Sequence, residues 1–117
     1  MLSPREVAML AVDVLDSKNA KEIKVLKTED LTVLANYFVI CTATSTTHIK
    51  TLSDEVEKVL EANGEVARSK EGYRSGGWVL LDFGCVVVHL FLEEIREFYN
   101  LERLWGDAEE VQLAINN

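Results

Sequence analysis

Two neighbouring runs of apolar residues constrain the fold of this chain more than any other feature. One run extends from Trp78 to Asp82 and the other from Cys85 to Leu92, and both are rich in valine and leucine. The link between them, Asp82-Phe83-Gly84-Cys85, is short and contains a glycine, which is typical of an antiparallel hairpin. The sequence therefore predicts two adjacent strands joined by a tight turn.

Two further strands are predicted in the first half of the chain. The segment from Tyr37 to Thr42 is aromatic and β-branched, which is typical of a strand that is buried on both faces. We expect this strand to lie near the centre of the sheet. In the segment from Lys21 to Lys27, Ile23 and Val25 fall on one face of a shorter strand.

Three helices are predicted from apolar periodicity and capping residues. Ser3-Pro4-Arg5-Glu6 supplies an N-cap, a proline suited to the first turn and a glutamate that can bond back to the cap. A second helix follows Thr44-Ser45-Thr46-Thr47, which offers several N-caps, and ends at Asn63-Gly64. From Glu93 onward the apolar spacing becomes helical again, which predicts a third helix.

The order of these elements predicts a mixed sheet of about four or five strands that is covered by helices, in the α/β or α+β class. The chain has 117 residues, which is close to the usual size of one domain. A single domain is therefore predicted over residues 1–105. The remaining residues, 106–117, are predicted to form a partly disordered tail because they are polar at their end.

The charge balance disfavours one class of partner. Twenty acidic and twelve basic residues give a net charge of −8, whereas binding to a phosphate backbone depends on basic side chains. The acidic excess lies in the second half: there are six acidic and six basic residues through Lys50, and fourteen acidic and six basic from Thr51 onward. A basic partner is therefore favoured over a nucleic acid.

Neither a leader peptide nor a membrane segment is expected. Charged residues interrupt the N-terminal region, and no run of about 18 apolar residues occurs anywhere in the chain. The sequence therefore predicts a cytoplasmic protein.

Cys41 and Cys85 lie inside apolar runs and form no C-x-x-C pair, so both are predicted to be free buried thiols rather than metal ligands.

The candidate catalytic residues do not combine into a site. His89 alternates with Val87 and Phe91 on one strand face, and no motif fixes a nucleophile near it, so a core or interface histidine is predicted rather than a catalytic base. His48 falls in the first turn of the second helix and is predicted to lie at the surface. The acidic residues from Glu93 to Glu102 lack the D-x-D arrangement of a two-metal site. No catalytic residue, metal or cofactor is therefore expected.

The segment from Tyr99 to Trp105 carries four large apolar side chains within seven residues. One short terminal helix cannot easily bury all of them, so a partly exposed patch that binds a partner is one interpretation. Packing of the same side chains into the core is the alternative, and the sequence does not separate the two.

In their order and spacing, the segments Trp78 to Gly84, Val87 to Phe91 and Arg96 to Trp105 resemble the signature of the Iojap family of ribosomal silencing factors. The resemblance covers nearly the whole chain except the tail. Its upstream part consists of Tyr37-Phe38-Val39-Ile40-Cys41-Thr42, Ser45, His48 and Glu71-Gly72.

This resemblance implies a fold similar to that of nucleotidyltransferases, but no enzyme activity. It implies binding to large-subunit ribosomal protein fourteen, which blocks joining of the small subunit and represses translation when nutrients are limited. Direct contact with RNA is expected to be small. Carried over by motif position, the implied partner-binding residues are Trp78, Leu80, Asp82, Tyr99, Leu101, Glu102, Leu104 and Trp105.

The chain departs from the family pattern at two positions, since Asn36 and Cys85 stand where the family often has aspartate. Both lie at strand ends, so the fold implied by the resemblance is unaffected.

Two alternative interpretations also remain. One is a nucleotidyltransferase-like enzyme that binds a nucleotide, which rests on fold analogy alone. The other is a homodimer that forms through the same aromatic patch when the protein is off the ribosome.

Overall fold

A mixed sheet of six strands forms the centre of the protein in the computed structural model, which describes residues 2–28, 35–99, 109–111 and 113, with only the backbone for 98 and 99. The order of the strands across the sheet is β3-β4-β5-β2-β1-β6. The strands are β1 (Lys21–Lys27), β2 (Tyr37–Ala43), β3 (Ser69–Glu71), β4 (Trp78–Asp82), β5 (Val86–Leu92) and β6 (Glu109–Val111). The helices are α1 (Pro4–Ser17), α2 (Thr46–Ala62) and α3 (Glu93–Tyr99).

The predicted class of a mixed sheet flanked by helices is confirmed, but the predicted number of strands is too low. The described residues contain six strands instead of four or five, because β3 and β6 at the two edges were not predicted. Each has three residues, and only Val111 among the six is apolar and buried. Segments this short and polar carry no alternation to detect. Strand β6 lies within the predicted tail, residues 106–117. The only other residue of that tail that the structure describes is Leu113.

The pairing of β2 with β5 is the parallel contact at the middle of the sheet. Seven residue pairs join the two strands, from Tyr37 opposite Val86 to Ala43 opposite Leu92. All other neighbouring strands pair antiparallel, including the predicted hairpin of β4 and β5. The prediction that β2 is central is confirmed, since it lies between β5 and β1 and is buried over most of its length.

Local capping residues define α1 and α2, as the sequence predicts. The Ser3 hydroxyl accepts a hydrogen bond from the Glu6 N–H at 3.1 Å, and the Glu6 carboxylate accepts one from the Ser3 N–H at 2.8 Å. At the start of α2, the Ser45 hydroxyl accepts from the His48 N–H at 3.0 Å. Gly64 ends α2 with a φ of +88°, in the left-handed region that favours glycine.

His48 links the two helices by hydrogen bonds. The prediction of a surface position does not include this role. It is half-buried, and its Nδ1 accepts a hydrogen bond from the Thr44 N–H at 3.0 Å. Its Nε2 lies 2.8 Å from the carbonyl oxygen of Lys18, just beyond the end of α1, and therefore carries the proton. The imidazole thus connects the end of α1 to the start of α2.

The main hydrophobic core lies between these two helices and one face of the sheet. Strand alternation sends every second side chain of β2, β4 and β5 into this core. The largest fully buried members are Val7 and Leu15 of α1, Ile49, Leu52, Val56 and Leu60 of α2, and Val25, Val39, Leu81 and Leu90 of the sheet.

A buried arginine anchors α3 against the far end of the sheet. Arg96 is 6% exposed, and its Nη1 donates to the carbonyl oxygen of Glu22 at 2.7 Å and to the Thr42 hydroxyl at 2.8 Å. Glu22 has a φ of +48° and lies where the register between β1 and β2 shifts, between Lys21 and Lys24. The irregularity of β1 and the guanidinium of α3 are thus parts of one contact.

The turn that enters β4 is shaped by Gly72. Its φ is +80°, and a Cβ at this position would lie 1.9 Å from the carbonyl oxygen of Trp78. The Gly72 carbonyl accepts hydrogen bonds from the Gly76 N–H at 3.0 Å and from the Ser75 hydroxyl at 3.1 Å. The backbone of the turn therefore packs directly on the first residue of the strand.

We expect Gly72→Ala to lower the free energy of unfolding by at least about 2 kcal/mol, because it adds a backbone clash to the cost of a positive φ. Gly64→Ala is the matched control. Its φ is +88°, but its Cβ would meet no atom of the described residues within 4 Å, so its expected loss is about 1 kcal/mol. Urea unfolding of both variants measures the difference. Equal losses would contradict the close approach of Gly72 to Trp78.

Candidate functional site

The second face of the sheet, on the side away from α1 and α2, brings together three of the residues implied by the resemblance. Trp78, Leu80 and Asp82 alternate along β4 with the core residues Val79 and Leu81. Their cross-strand neighbours on β5 are Phe91 opposite Trp78, His89 opposite Leu80, and Val87 opposite Asp82. We call these six side chains and Phe38 of β2 the Trp78 face.

The Trp78 side chain is held in place by ring contacts and by one hydrogen bond. Its ring centroid lies 5.0 Å from that of Phe91 with the planes inclined by 34°. Its indole Nε1–H donates to Nδ1 of His89 at 3.3 Å. Trp78 is nevertheless only half-buried, so part of this packed aromatic side chain remains at the surface.

His89 is buried, as predicted for a core or interface histidine. It is 3% exposed, lies edge-on to Phe38 with the ring centroids 5.1 Å apart, and is nearly parallel to Phe91 at 6.0 Å. Burial lowers the pKa of His89 to about 4, so the ring is neutral near pH 7. Because Nδ1 accepts from Trp78, the proton of the neutral ring is on Nε2.

Asp82 contributes to the turn of the hairpin as well as to the Trp78 face. Its Oδ1 accepts a hydrogen bond from the Gly84 N–H at 2.7 Å, and Gly84 has a φ of +87°. This is an aspartate turn, in which the side chain stabilises its own backbone two residues later. One oxygen of the carboxylate is therefore already engaged, which leaves Trp78 and Leu80 as the stronger candidates for partner contact.

The two positions that depart from the family pattern are in direct contact. The Asn36 N–H donates to the Cys85 carbonyl oxygen at 2.7 Å, and the Tyr37 N–H donates to the same oxygen at 3.2 Å. Both bonds use backbone atoms, so they do not depend on the side chains at positions 36 and 85. Both cysteines are free thiols, as predicted. Cys41 is fully buried, but the predicted burial is wrong for Cys85, which is only half-buried.

The remaining implied residues cannot be placed on this face. Tyr99 is the last residue of α3, and the structure describes only its backbone. Leu101, Glu102, Leu104 and Trp105 lie outside the described residues. The predicted choice between a C-terminal binding patch and core packing therefore stays open.

A small pocket beside Trp78 is a feature that the sequence analysis does not single out. It has a volume of about 280 Å³ and is lined by Glu71, Gly72, Trp78 and Leu80. Only the register of β3 against β4, which places Glu71 opposite Leu80, brings the acidic residue to this face. No pattern in the sequence indicates that pairing, because β3 is three polar residues long.

A second cleft of about 300 Å³ lies where the parallel strands β2 and β5 end. In open sheets with helices, this end of parallel strands is a common place for ligands. The lining combines basic, acidic and hydroxyl side chains with two apolar ones: Lys21, Glu22, Thr42, Ala43, Thr44, Ser45, Leu92, Glu93 and Glu94. The described residues contain no group of three or more histidine, cysteine, aspartate or glutamate side chains that could hold a metal ion.

Burial gives Cys41 a low reactivity. Its side chain is fully buried, and desolvation raises the pKa of the thiol to about 12, although the nearby Arg96 acts in the opposite direction. The thiolate is the reactive form of cysteine. Cys41 is therefore a packing residue of β2.

No helix in the described part of the chain is long and apolar enough to cross a membrane.

Comparison with known proteins gives one consistent result. A family model described as ribosomal silencing factor during starvation matches residues 2–117. A ribosomal silencing factor of Halalkalibacterium halodurans is 38% identical over 112 residues, which is 96% of both chains. A mouse protein named mitochondrial assembly of ribosomal large subunit protein 1 is 34% identical over 99 residues, 82% of this chain and 43% of that protein.

The fold agrees with this relationship. A crystal structure of a Chromobacterium violaceum protein superposes with a TM-score of 0.88 at 34% identity, and the match covers 98% of this chain and 95% of that one. The sheet and helices that present the Trp78 face are thus shared with an experimentally determined structure. On the match over residues 2–117 and these identities, the chain belongs to the ribosomal silencing factor family, which includes the Iojap proteins.

Proposed function

We propose that this protein binds the large ribosomal subunit through ribosomal protein fourteen and prevents the small subunit from joining. Translation is then repressed when nutrients are limited. The observation that carries the proposal is the Trp78 face, where a packed, half-buried tryptophan lies beside Leu80 on the sheet surface away from α1 and α2. The family and the name of the mouse relative support a large-subunit partner.

The geometry of Trp78 suits a site that contributes much of the binding energy. Tryptophan is enriched among the few interface residues whose loss costs most, and such residues lie in well-packed surroundings. Here the ring is already held by Phe91 and by the hydrogen bond to His89. Little side-chain entropy remains to be lost on binding, which lowers the cost of association.

The charge of the protein favours a protein contact over an RNA contact. With a net charge of −8, the domain is attracted to a basic ribosomal protein and repelled by the phosphates that surround it. The attraction increases the rate of encounter, and the repulsion disfavours binding elsewhere on the particle. Ribosomal protein fourteen is therefore a better contact than the neighbouring RNA.

Inhibition by this mechanism requires no chemistry. A domain that measures 33 × 31 × 28 Å blocks joining when it occupies the surface where the small subunit docks. The degree of inhibition follows the bound fraction, as for any ligand at equilibrium. The protein would act in the cytoplasm, where the subunits meet. Off the ribosome, a second copy of the chain is the competing partner for the aromatic patch from Tyr99 to Trp105. Sedimentation of the protein at several concentrations measures this self-association.

We expect Trp78→Ala to raise the Kd for purified large subunits, measured by co-sedimentation, roughly thirtyfold. This is the loss typical of a residue that contributes about 2 kcal/mol to an interface. Val66→Ala is the control, because Val66 is apolar and 64% exposed but is not one of the seven residues of the Trp78 face. Circular dichroism confirms that each variant is folded. If Trp78→Ala does not fold, Leu80→Ser provides the same test. Equal binding of the folded variants would contradict the proposed face.

The C-terminal part of the proposal has its own variant. We expect the double substitution Leu104→Ala and Trp105→Ala to weaken binding to large subunits while the fold persists, because these side chains are proposed to contact the partner. The same co-sedimentation assay measures the effect, with small subunits as the negative control. Unchanged binding of a folded double variant would remove this segment from the proposed interface.

The neutral state of His89 predicts a pH dependence of stability. Above about pH 6.5 the histidine is neutral in both the folded and the unfolded chain. Between that pH and about pH 4 only the unfolded chain takes up the proton, because burial lowers the pKa in the folded protein. Stability should therefore fall as the pH decreases, by about 3 kcal/mol at pH 4 from this residue alone.

The variant His89→Gln isolates this effect, since all other titrating groups are unchanged. Urea unfolding of both proteins from pH 7.5 to pH 4, in steps of about half a unit, gives the two slopes. The variant should lose less stability than the wild type over this range. Parallel curves would show that His89 takes up its proton in the folded protein as easily as in the unfolded chain.

The nucleotidyltransferase alternative concerns the cleft at the ends of β2 and β5. Under the proposed function, calorimetric titration of the protein with ATP and magnesium should give no binding heat. Heat with a stoichiometry of one would favour the alternative. A variant with Ser45→Ala and Glu93→Gln, both in the lining of the cleft, would then show whether the nucleotide binds there.

A further inference from the structure

The pocket beside Trp78 has the size for one side chain. Its volume of about 280 Å³ is just below the range of about 300–1,000 Å³ that is typical of small-molecule sites. It opens on the Trp78 face, next to the residue that carries the proposed function. An element of a bound partner would therefore reach it as part of the same interface.

The walls of the pocket combine apolar surface with one charge. Trp78 and Leu80 lie two residues apart on β4 and point to the same side of the sheet. Glu71 lies directly opposite Leu80 on β3. Gly72 closes the lining with backbone only, because even a Cβ would collide with the carbonyl oxygen of Trp78. The result is an aromatic wall, an aliphatic wall and an acidic rim.

The carboxylate of Glu71 is available for a partner. Its side chain is exposed, and the two ion pairs within the described part of the chain, Lys27 with Glu109 and Lys70 with Glu57, do not involve it. Lys70 points to the other side of the sheet, where its ammonium lies 2.7 Å from the Glu57 carboxylate of α2. Arg74 of the following turn is not part of the lining.

We infer that this pocket takes one lysine or arginine side chain of the protein partner, an assignment that rests on the proposed function for the partner's identity. The aliphatic stem of the side chain packs on Leu80 and on the indole ring, and the cation reaches the Glu71 carboxylate. Tryptophan is the best aromatic partner for a cation, and long basic side chains combine an apolar stem with a charged end.

A cation fits this pocket better than an apolar side chain. An apolar group would cover the rim and remove water from Glu71 without replacing it, which leaves a charge desolvated and unpaired. A basic side chain buries the same apolar surface and neutralises that charge. The net charge of −8 also favours approach of the basic partner over long distances. Glu71 is therefore a specificity-determining residue of the interface.

The first test is a charge reversal with a matched control. Glu71→Lys and Glu61→Lys make the same change of charge, but Glu61 is exposed on α2, on the other side of the sheet. The Kd for purified large subunits, measured by co-sedimentation, should rise roughly tenfold or more in Glu71→Lys. It should change by less than about twofold in Glu61→Lys. Equal effects of the two reversals would overturn the assignment.

The second test needs no ribosome. In ¹⁵N-labelled protein, the indole N–H of Trp78 is assigned by its loss in Trp78→Phe, and its NMR signal is followed during titration with capped Gly-Arg-Gly, Gly-Lys-Gly and Gly-norleucine-Gly peptides. The two basic peptides should shift the signal to saturation, whereas the norleucine peptide should not. Glu71→Gln should remove the shift. An equal shift with norleucine, or a shift that persists in Glu71→Gln, would overturn the pocket.

The two tests separate the pocket from the proposed function. If the wild-type protein does not pellet with large subunits, the proposed function is wrong, and the peptide titration alone decides the pocket. If the wild type pellets but Glu71→Lys binds like Glu61→Lys, the pocket is wrong and the proposed function stands. Weakened binding of Glu71→Lys together with shifts from the basic peptides supports both.

Discussion

The parallel pairing of β2 with β5 is the constraint on which the rest of the structure depends. Its register, from Tyr37 opposite Val86 onward, decides which side chains face α1 and α2 and which face the other way. A slip of one residue would exchange the two sets, because side chains alternate along a strand. With β2 fixed, Val88 and Leu90 of β5 then would leave the core, and His89 would enter it. The core and the Trp78 face are therefore determined together.

The Trp78 face carries polar atoms inside an aromatic cluster, and their pairing keeps the cluster in a single arrangement. Neutral His89 accepts from the indole of Trp78 and packs on Phe38 and Phe91. A purely apolar cluster has no such preference for one orientation, whereas a directional bond specifies it. For the proposed interface this arrangement is an advantage, since the tryptophan does not have to be arranged at the moment of binding.

Local signals predict the elements of this fold, and long-range contacts explain what could not be predicted. The caps at Ser3 and Ser45, the hairpin, and the central position of β2 all follow from residues close together in the chain. Within the candidate site, alternation predicts that Trp78, Leu80 and Asp82 share a face. By contrast, Arg96 bonds to the Glu22 carbonyl 74 positions away, and the pocket at Glu71 depends on pairing of a three-residue edge strand. No local pattern records either contact.

The distance in sequence between the two central strands also affects how the protein is made. During synthesis the first half of the chain emerges before β5, so β2 can pair with β1 while its other edge has no partner. The strand that carries this edge is apolar on both faces, since Val39, Ile40 and Cys41 are all fully buried in the finished fold. Unpaired apolar edges are prone to association with other chains. A member of the ribosomal silencing factor family thus completes its own sheet only when most of its chain has left the ribosome that makes it.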